Sequence, residues 1–244
     1  MNNIFQGQQA LVVGGSSGIG RATAIALRHA GCAVLATGVS EAEVVACIAD
    51  SRMQGIQTVC LDLGEGSAVD ALLGSLPRLD ILVNAAGVGR GASEFTPEGF
   101  VRTLEINLSG TMRTCYAARE LLKASAGCIV NLASMMSFFG SPTAPAYAAS
   151  KGGVAQLSKS LAVAWAAEGI RVNAVAPGWI DTPMTQGLQA DEGRNARVIA
   201  RSPMQRWGRP EEIAAGIVFL CSPAASFVNG VVLPIDGGYL ACGI

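Results

Sequence analysis

The chain has 244 residues, 50% of them hydrophobic and 14% charged, with 17 basic against 18 acidic side chains and a net charge of −1. Disorder is excluded, since it requires low hydrophobicity or strong charge, and the balance of signs argues against a phosphate-driven nucleic-acid binder. No apolar run reaches the roughly 18 residues of a membrane span, the length fits one domain over 1–244, and the low charge points to surface covered by further subunits.

Strand-length apolar runs alternate with helix-length segments along the chain. A strand at Ala10-Leu11-Val12-Val13 runs into the glycine-rich stretch Gly14-Gly15-Ser16-Ser17-Gly18-Ile19-Gly20. A helix over about 18–30 follows and ends in Arg28-His29-Ala30-Gly31. His29 is the only histidine, and a helix C-terminus suits it electrostatically. With one imidazole, a multi-histidine metal site is impossible within the chain, and a Ser-His-Asp triad would have to use this residue; no metal is expected. Further strands are expected at 33–36, 58–61, 81–83, 128–132, 171–175 and 231–233. The intervening helices are expected at about 41–53, 66–75, 97–123, 146–168 and 210–221.

Most of these strands are continuous apolar runs, as in a sheet covered on both faces. The alternation predicts an α/β fold: one Rossmann-like, doubly wound sheet of about seven parallel strands with helices on both faces. A (β/α)8 barrel is the rival at this length, but its phosphate site usually lies near the last strands, whereas here the glycine-rich turn follows the first. The long irregular stretch 181–207 is either a functional loop or a surface helical excursion; in the first case it is a substrate lid.

The seven cysteines (Cys32, Cys47, Cys60, Cys115, Cys128, Cys221 and Cys242) form no CxxC motif. Their odd number, with no basic-then-apolar leader at Met1-Asn2-Asn3-Ile4, leads us to expect a reducing, cytoplasmic setting.

The glycine loop follows the spacing G-x-x-x-G-x-G. Gly14 permits a tight turn, Gly18 lets backbone approach a pyrophosphate, and Gly20 lets the helix pack closely on the strand. The helix N-terminus adds free N–H groups and a positive dipole end. Tyr147 and Lys151 stand four apart, on one face of a helix. An ammonium near a phenol favours the phenolate, so such a pair can shuttle a proton to an alcohol oxygen. Ser134 closes an apolar strand, where open α/β sheets bind their ligands.

In order along the chain, Val13–Gly20, Asp62, Asn84-Ala85-Ala86-Gly87, Asn107, Ser134, Tyr147-Ala148-Ala149-Ser150-Lys151, Pro177–Met184 and Asp236-Gly237-Gly238 resemble the motifs of the short-chain dehydrogenase/reductases. Val13 stands for the usual Thr and Ala85 for the usual second Asn. The resemblance covers essentially the whole chain. It implies hydride transfer between a nicotinamide and a carbonyl carbon, interconverting a carbonyl and a secondary alcohol.

By that resemblance Tyr147 is the general acid/base, Ser134 holds the substrate oxygen, Lys151 bonds the cofactor ribose, and Asn107 supports a water relay. The cofactor would lie along Gly14, Ser16, Ser17, Gly18, Ile19, Gly20, Thr37, Gly38, Val39, Asp62, Leu63, Asn84, Ala85, Ala86, Gly87, Pro177, Gly178, Ile180 and Thr182, besides Tyr147 and Lys151. Asp62 would meet the adenine amino group, and the Ile180 backbone the carboxamide.

The family's NAD-selecting aspartate aligns with Gly38, and its NADP arginines with Ser17 or Val39. Hydroxyls at Ser16, Ser17, Thr37 and Ser40 tilt the expectation for the NAD(P)H cofactor towards NADP(H). Met135, Met136, Phe138, Phe139, Trp179 and Met184 suggest a fairly apolar small-molecule pocket. A 3-oxoacyl-[acyl-carrier-protein] reductase is an alternative, opposed by Ser125 and Glu168 where basic residues are usual. A non-catalytic nucleotide-sensing protein is a second alternative. A homotetramer, or a dimer, is expected by resemblance, with helices 97–123 and 146–168 pairing between subunits.

Overall fold

A computed structural model describes residues 3–242. Seven strands form one sheet in the order β3-β2-β1-β4-β5-β6-β7, and every pairing is parallel. The strands are β1 (Gln9–Val13), β2 (Ala33–Gly38), β3 (Gln57–Cys60), β4 (Ile81–Asn84), β5 (Cys128–Leu132), β6 (Arg171–Pro177) and β7 (Val232–Ile235). The chain reverses its direction of travel across the sheet beside β1, which pairs with β2 on one side and β4 on the other. Carboxyl ends of strands at such a switch point open a crevice.

The side-chain period of two explains why the strands read as unbroken apolar runs. In β1, Ala10 and Val12 enter one core while Leu11 and Val13 enter the other. The first core is closed by α1 (Gly18–His29), α2 (Glu41–Ala49) and α9 (Pro210–Cys221). The second is closed by α3 (Gly66–Ser75), α5 (Gly110–Ser125) and α6 (Pro145–Trp165), which supply residues such as Leu73, Leu122 and Trp165. His29 ends α1, in its last turn.

Three expected helices are subdivided, the one over 146–168 into α6 and a 3-10 turn at Ala166–Glu168. The segment expected as one helix over 97–123 consists of α4 (Pro97–Leu104), a π turn over Glu105–Ser109, and α5. Helix α2 stops at Ala49 because the next residue, Asp50, turns its carboxylate back to accept from Arg52 N at 3.0 Å and opens a short 3-10 turn.

The stretch 181–207 is largely helical rather than irregular. It holds a 3-10 turn at Pro183–Thr185, then α7 (Gln186–Gln189) and α8 (Glu192–Arg201). The sequence carries the start signal for α8: Asp191 accepts from Arg194 N at 3.0 Å, an N-cap bond.

Candidate active site

A cleft of about 500 Å³ runs over the carboxyl ends of β1, β2, β4, β5 and β6. Its floor begins at the turn between β1 and α1. Gly14 has φ +75°, and a Cβ there would lie 2.6 Å from the backbone of Ala86. A Cβ on Gly20 would lie 2.1 Å from Gly14 O. These positions admit only glycine, because the β1 turn, the β4 turn and the first turn of α1 touch through backbone. The buried Thr37 hydroxyl accepts from Gly14 N at 3.0 Å and ties the turn to β2.

The residues fit a dinucleotide. The Ser17 side chain makes no cap bond to α1, and the first turn of that helix contains no acid. Its N-terminal amides and dipole therefore face the cleft without a competing anion on the helix itself. The volume lies within the range for cofactor pockets.

Of the expected cofactor residues, all but Asn84 line this cleft. Asn84 ends β4 and turns into the core instead. It donates to Asn131 Oδ1 at 2.9 Å and accepts from the Thr114 hydroxyl at 2.7 Å. Asn107 stands behind the wall, fully buried in the π turn. Its side chain accepts from Val88 N at 2.8 Å, and donates to Val88 O at 2.9 Å and Ser150 Oγ at 3.0 Å. The turn after β4 is thereby clamped to α6. π turns recur at functional sites because they displace one residue from the helical register.

Ser134, Tyr147 and Lys151 meet in the cleft. Ser134 follows β5, and its hydroxyl also accepts from Met136 N at 3.1 Å, capping a short 3-10 turn. Lys151 is buried and donates to Leu132 O at 2.6 Å. Burial pushes the Lys151 ammonium down to about 8. Its Nζ is 5.7 Å from the centre of the Tyr147 ring.

The tyrosine differs from the sequence expectation. Burial pushes its phenol up, hydrogen bonding with Ser134 opposes that, and the Glu94 charge pushes it further up. Lys151, pushed down to about 8, has already lost its proton where the phenol titrates, so it does not offset the burial of the phenol there.

Two carboxylates escaped the sequence reading. Glu43, from the first turn of α2, reaches the end of β2: its Oε2 accepts from Ser16 Oγ at 2.7 Å and Val39 N at 3.2 Å. The strand end thus lacks an acid of its own but receives one from the following helix. Glu94, in the 3-10 turn Gly91–Phe95, is 1% exposed and bonds the first turn of α6. The signal for Glu43 was its position three residues after the capping Ser40; nothing local marked Glu94.

The apolar residues grouped by sequence do not form one wall. Of the six, only Met184 lines the cleft. Met135 is core, Phe138 is exposed, and Phe139 packs against Tyr239 with ring centres 5.9 Å apart. Trp179 meets Trp207 edge-on at 5.9 Å. At the catalytic end the cleft carries Arg90, whose guanidinium has no ion pair among the described residues; Arg102, at the other end, lies 3.9 Å from Asp62.

The sequence pattern of a family described as enoyl-(acyl carrier protein) reductase matches residues 13–240. The chain is 39% identical to the 2-dehydro-3-deoxy-D-gluconate 5-dehydrogenase of Bacillus subtilis, over 97% of this chain and 96% of that protein. It is 40% identical to the cis-4-hydroxycyclohexanecarboxylate dehydrogenase of Sinomonas cyclohexanicum, over 99% and 100%. Among solved structures it resembles a gluconate 5-dehydrogenase from Burkholderia cenocepacia in complex with NADP and tartrate. The TM-score is 0.91, with 31% identity over 98% of each chain.

Proposed function

Since the chain belongs to the short-chain dehydrogenase/reductase family, we propose how its cleft divides the work of an NAD(P)-dependent oxidoreductase acting on CH–OH and C=O groups. The observation that carries the assignment of roles is the meeting of Ser134, Tyr147 and Lys151 at one end of a cleft whose other end is the glycine turn.

The nicotinamide, when bound, supplies or takes up the hydride. Tyr147 Oη gives a proton to the carbonyl oxygen in reduction and takes it back from the alcohol in oxidation. Ser134 Oγ holds that oxygen. Lys151, whose proton comes off near pH 8, sits one turn further along α6, where it binds ribose and re-supplies the phenol. Asn107 fixes the spacing between the Gly87-Val88 turn and α6 through Val88 and Ser150. The segment 181–207 brings Thr182, Pro183, Met184 and Thr185 to the cleft and acts as its lid, within one nucleotide-binding domain over 1–244.

NADP(H) is the favoured form. The end of β2 bears no acid of its own and the Burkholderia relative binds NADP, although α2 brings the Glu43 carboxylate beside that end. The substrate is a small alcohol or ketone. A fairly apolar substrate finds limited support, since Met184 alone of the expected apolar set lines the cleft. Arg90 favours a second reading, a substrate carrying a carboxylate, and the named substrates of both curated relatives carry one. A carrier-protein substrate is disfavoured by Glu168, which stands where a basic residue is usual before β6 and takes up the nearby Arg119 in an ion pair.

Homo-oligomerisation, as a tetramer, is supported by apolar side chains left in solvent on the long helices, with Tyr116 65% and Val163 83% exposed. The free thiols of Cys32, Cys47, Cys60, Cys115, Cys128 and Cys221 fit a cytoplasmic location. No helix among the described residues is long and apolar enough to cross a membrane.

The deciding experiment is Tyr147→Phe, assayed with a panel of alcohols and ketones and both cofactors. Turnover is expected to vanish while NADPH still binds by fluorescence. Persisting turnover would overturn the catalytic assignment, and binding without any turnover in the natural protein would favour the nucleotide-sensing alternative.

A further inference from the structure

Buried carboxylates are rare unless they are well bonded, since desolvating a charge is costly. Glu94 is 1% exposed, yet no cation pairs with it among the described residues. Its partners are two backbone amides. Oε1 accepts from Arg90 N at 2.7 Å, and Oε2 accepts from Tyr147 N at 2.8 Å. Tyr147 lies in the first turn of α6, which begins at Pro145. The carboxylate therefore sits on an amide of a helix N-terminus, where the dipole favours a negative charge.

These two bonds join pieces of the site that are distant in sequence. The loop carrying Gly87, Val88 and Arg90 forms one side of the catalytic end, and α6 forms the other. Gly89 approaches the Tyr147 ring so closely that a Cβ there would lie 3.7 Å from Cδ2. Behind Glu94, Phe95, Pro97, Phe100, Val101 and Pro145 line an apolar hollow. Glu94 itself is buried, so its charge on the Tyr147 side is screened little by water.

We propose that Glu94 is a positioning residue for Tyr147: its buried carboxylate ties the loop at 87–94 to the first turn of α6 and sits on the Tyr147 side of the cleft. Few charged groups face Tyr147. Ser134, from the turn after β5, is neutral; Lys151, on its own helix, is the buried cation 5.7 Å away; Arg90, on the facing loop, is exposed to solvent. Glu94 is the acid whose charge acts on the phenol, and burial of Tyr147 works in the same direction. A proton held on Tyr147 equips the site to donate to a carbonyl oxygen.

The proposal rests on Tyr147 being the proton-transfer residue, so its test carries that reading as a separate control. Glu94→Gln keeps the size and one acceptor and removes the charge. Ultraviolet titration of tyrosine ionisation, with Tyr147→Phe as the reference that removes one of the three tyrosines, reads the phenol without turnover. We expect Glu94→Gln to move that ionisation, and the matching limb of the pH–kcat profile, to lower pH by about one unit. NADPH affinity should change less than threefold.

A lower kcat with an unmoved profile would assign Glu94 a structural role only and overturn the proposal, as would a shift to higher pH. Should Glu94→Gln not fold, Glu94→Asp serves, because it keeps the charge and loosens the bonds. A fall in kcat with the profile in place then supports the proposal, and a profile moved to lower pH overturns it. Persisting turnover in Tyr147→Phe would instead sink the reading of Tyr147.

Discussion

The Glu43 carboxylate stands 2.7 Å from the Ser16 hydroxyl and also accepts from Val39 N. It engages one donor in the turn after β1 and one at the end of β2. This places a carboxylate from α2 in a crevice whose own strand ends in glycine. Removing its charge weakens both bonds and lifts a like-charge repulsion. Glu43→Gln is therefore expected to tighten NADPH by about tenfold relative to NADH at low salt, less at high salt. Separate fluorescence titrations with the two cofactors measure it, and an unchanged ratio would refute it.

Lys151 makes stability depend on pH in an unusual direction. Its folded pKa, about 8, lies below the unfolded 10.5. Between those values the unfolded chain binds more protons, so the lysine's contribution to stability rises with pH. Its penalty is full below pH 8 and disappears above 10.5. Lys151→Met should stabilise the protein by about 1–2 kcal/mol at pH 7, after allowing for the lost bond to Leu132 O. Denaturant melts across pH 7 to 10.5 should show that advantage shrinking; a constant difference would contradict it.

Gly20→Ala tests the backbone contact under the cofactor site. The added methyl meets Gly14 O at 2.1 Å, and neither backbone can give way without moving the turn. A loss of about 3 kcal/mol is expected, together with most of the cofactor affinity. A variant with unaltered melting and binding would show that the turn yields freely.

Arg90→Met separates the two substrate readings. For a substrate bearing a carboxylate, KM should rise about tenfold with kcat little changed, because an ion pair common to ground and transition states is lost. Neutral alcohols should show no such rise. Equal effects on both classes would remove Arg90 from substrate recognition.

The sheet was legible because its strands are apolar on both faces. Ala10 to Val13 reads as one run since each residue meets one core or the other. The glycine turn was legible because each of its constraints falls within a few residues. What escaped depends on contacts through space. Glu94 and Tyr147 are 53 residues apart. Asn84 carries a motif position, yet it faces Asn131 and Thr114, because a strand's last side chain takes the face its register dictates. The π turn at Glu105–Ser109 lies in a segment whose apolar spacing is that of an ordinary helix. For 183–201 the sequence left a loop and a helical excursion both open, since α7 is only one turn long, while Phe139 and Trp179 were hidden by their partners Tyr239 and Trp207.

The neighbours of β1 also govern how the molecule assembles in time. Ala10 pairs with Ile81 on one side and Val34 on the other. A chain emerging from the ribosome can close the Val34 pairing early, but the Ile81 pairing waits until 71 residues beyond Ala10 have been made. Until then Gly14 lacks Ala86, and the glycine turn has no opposing wall. Such long-range parallel closure slows folding, and it leaves the nascent first half with an open strand edge. The cofactor cleft is therefore a late product of folding, and dinucleotide added during refolding should accelerate none of the steps that precede β4.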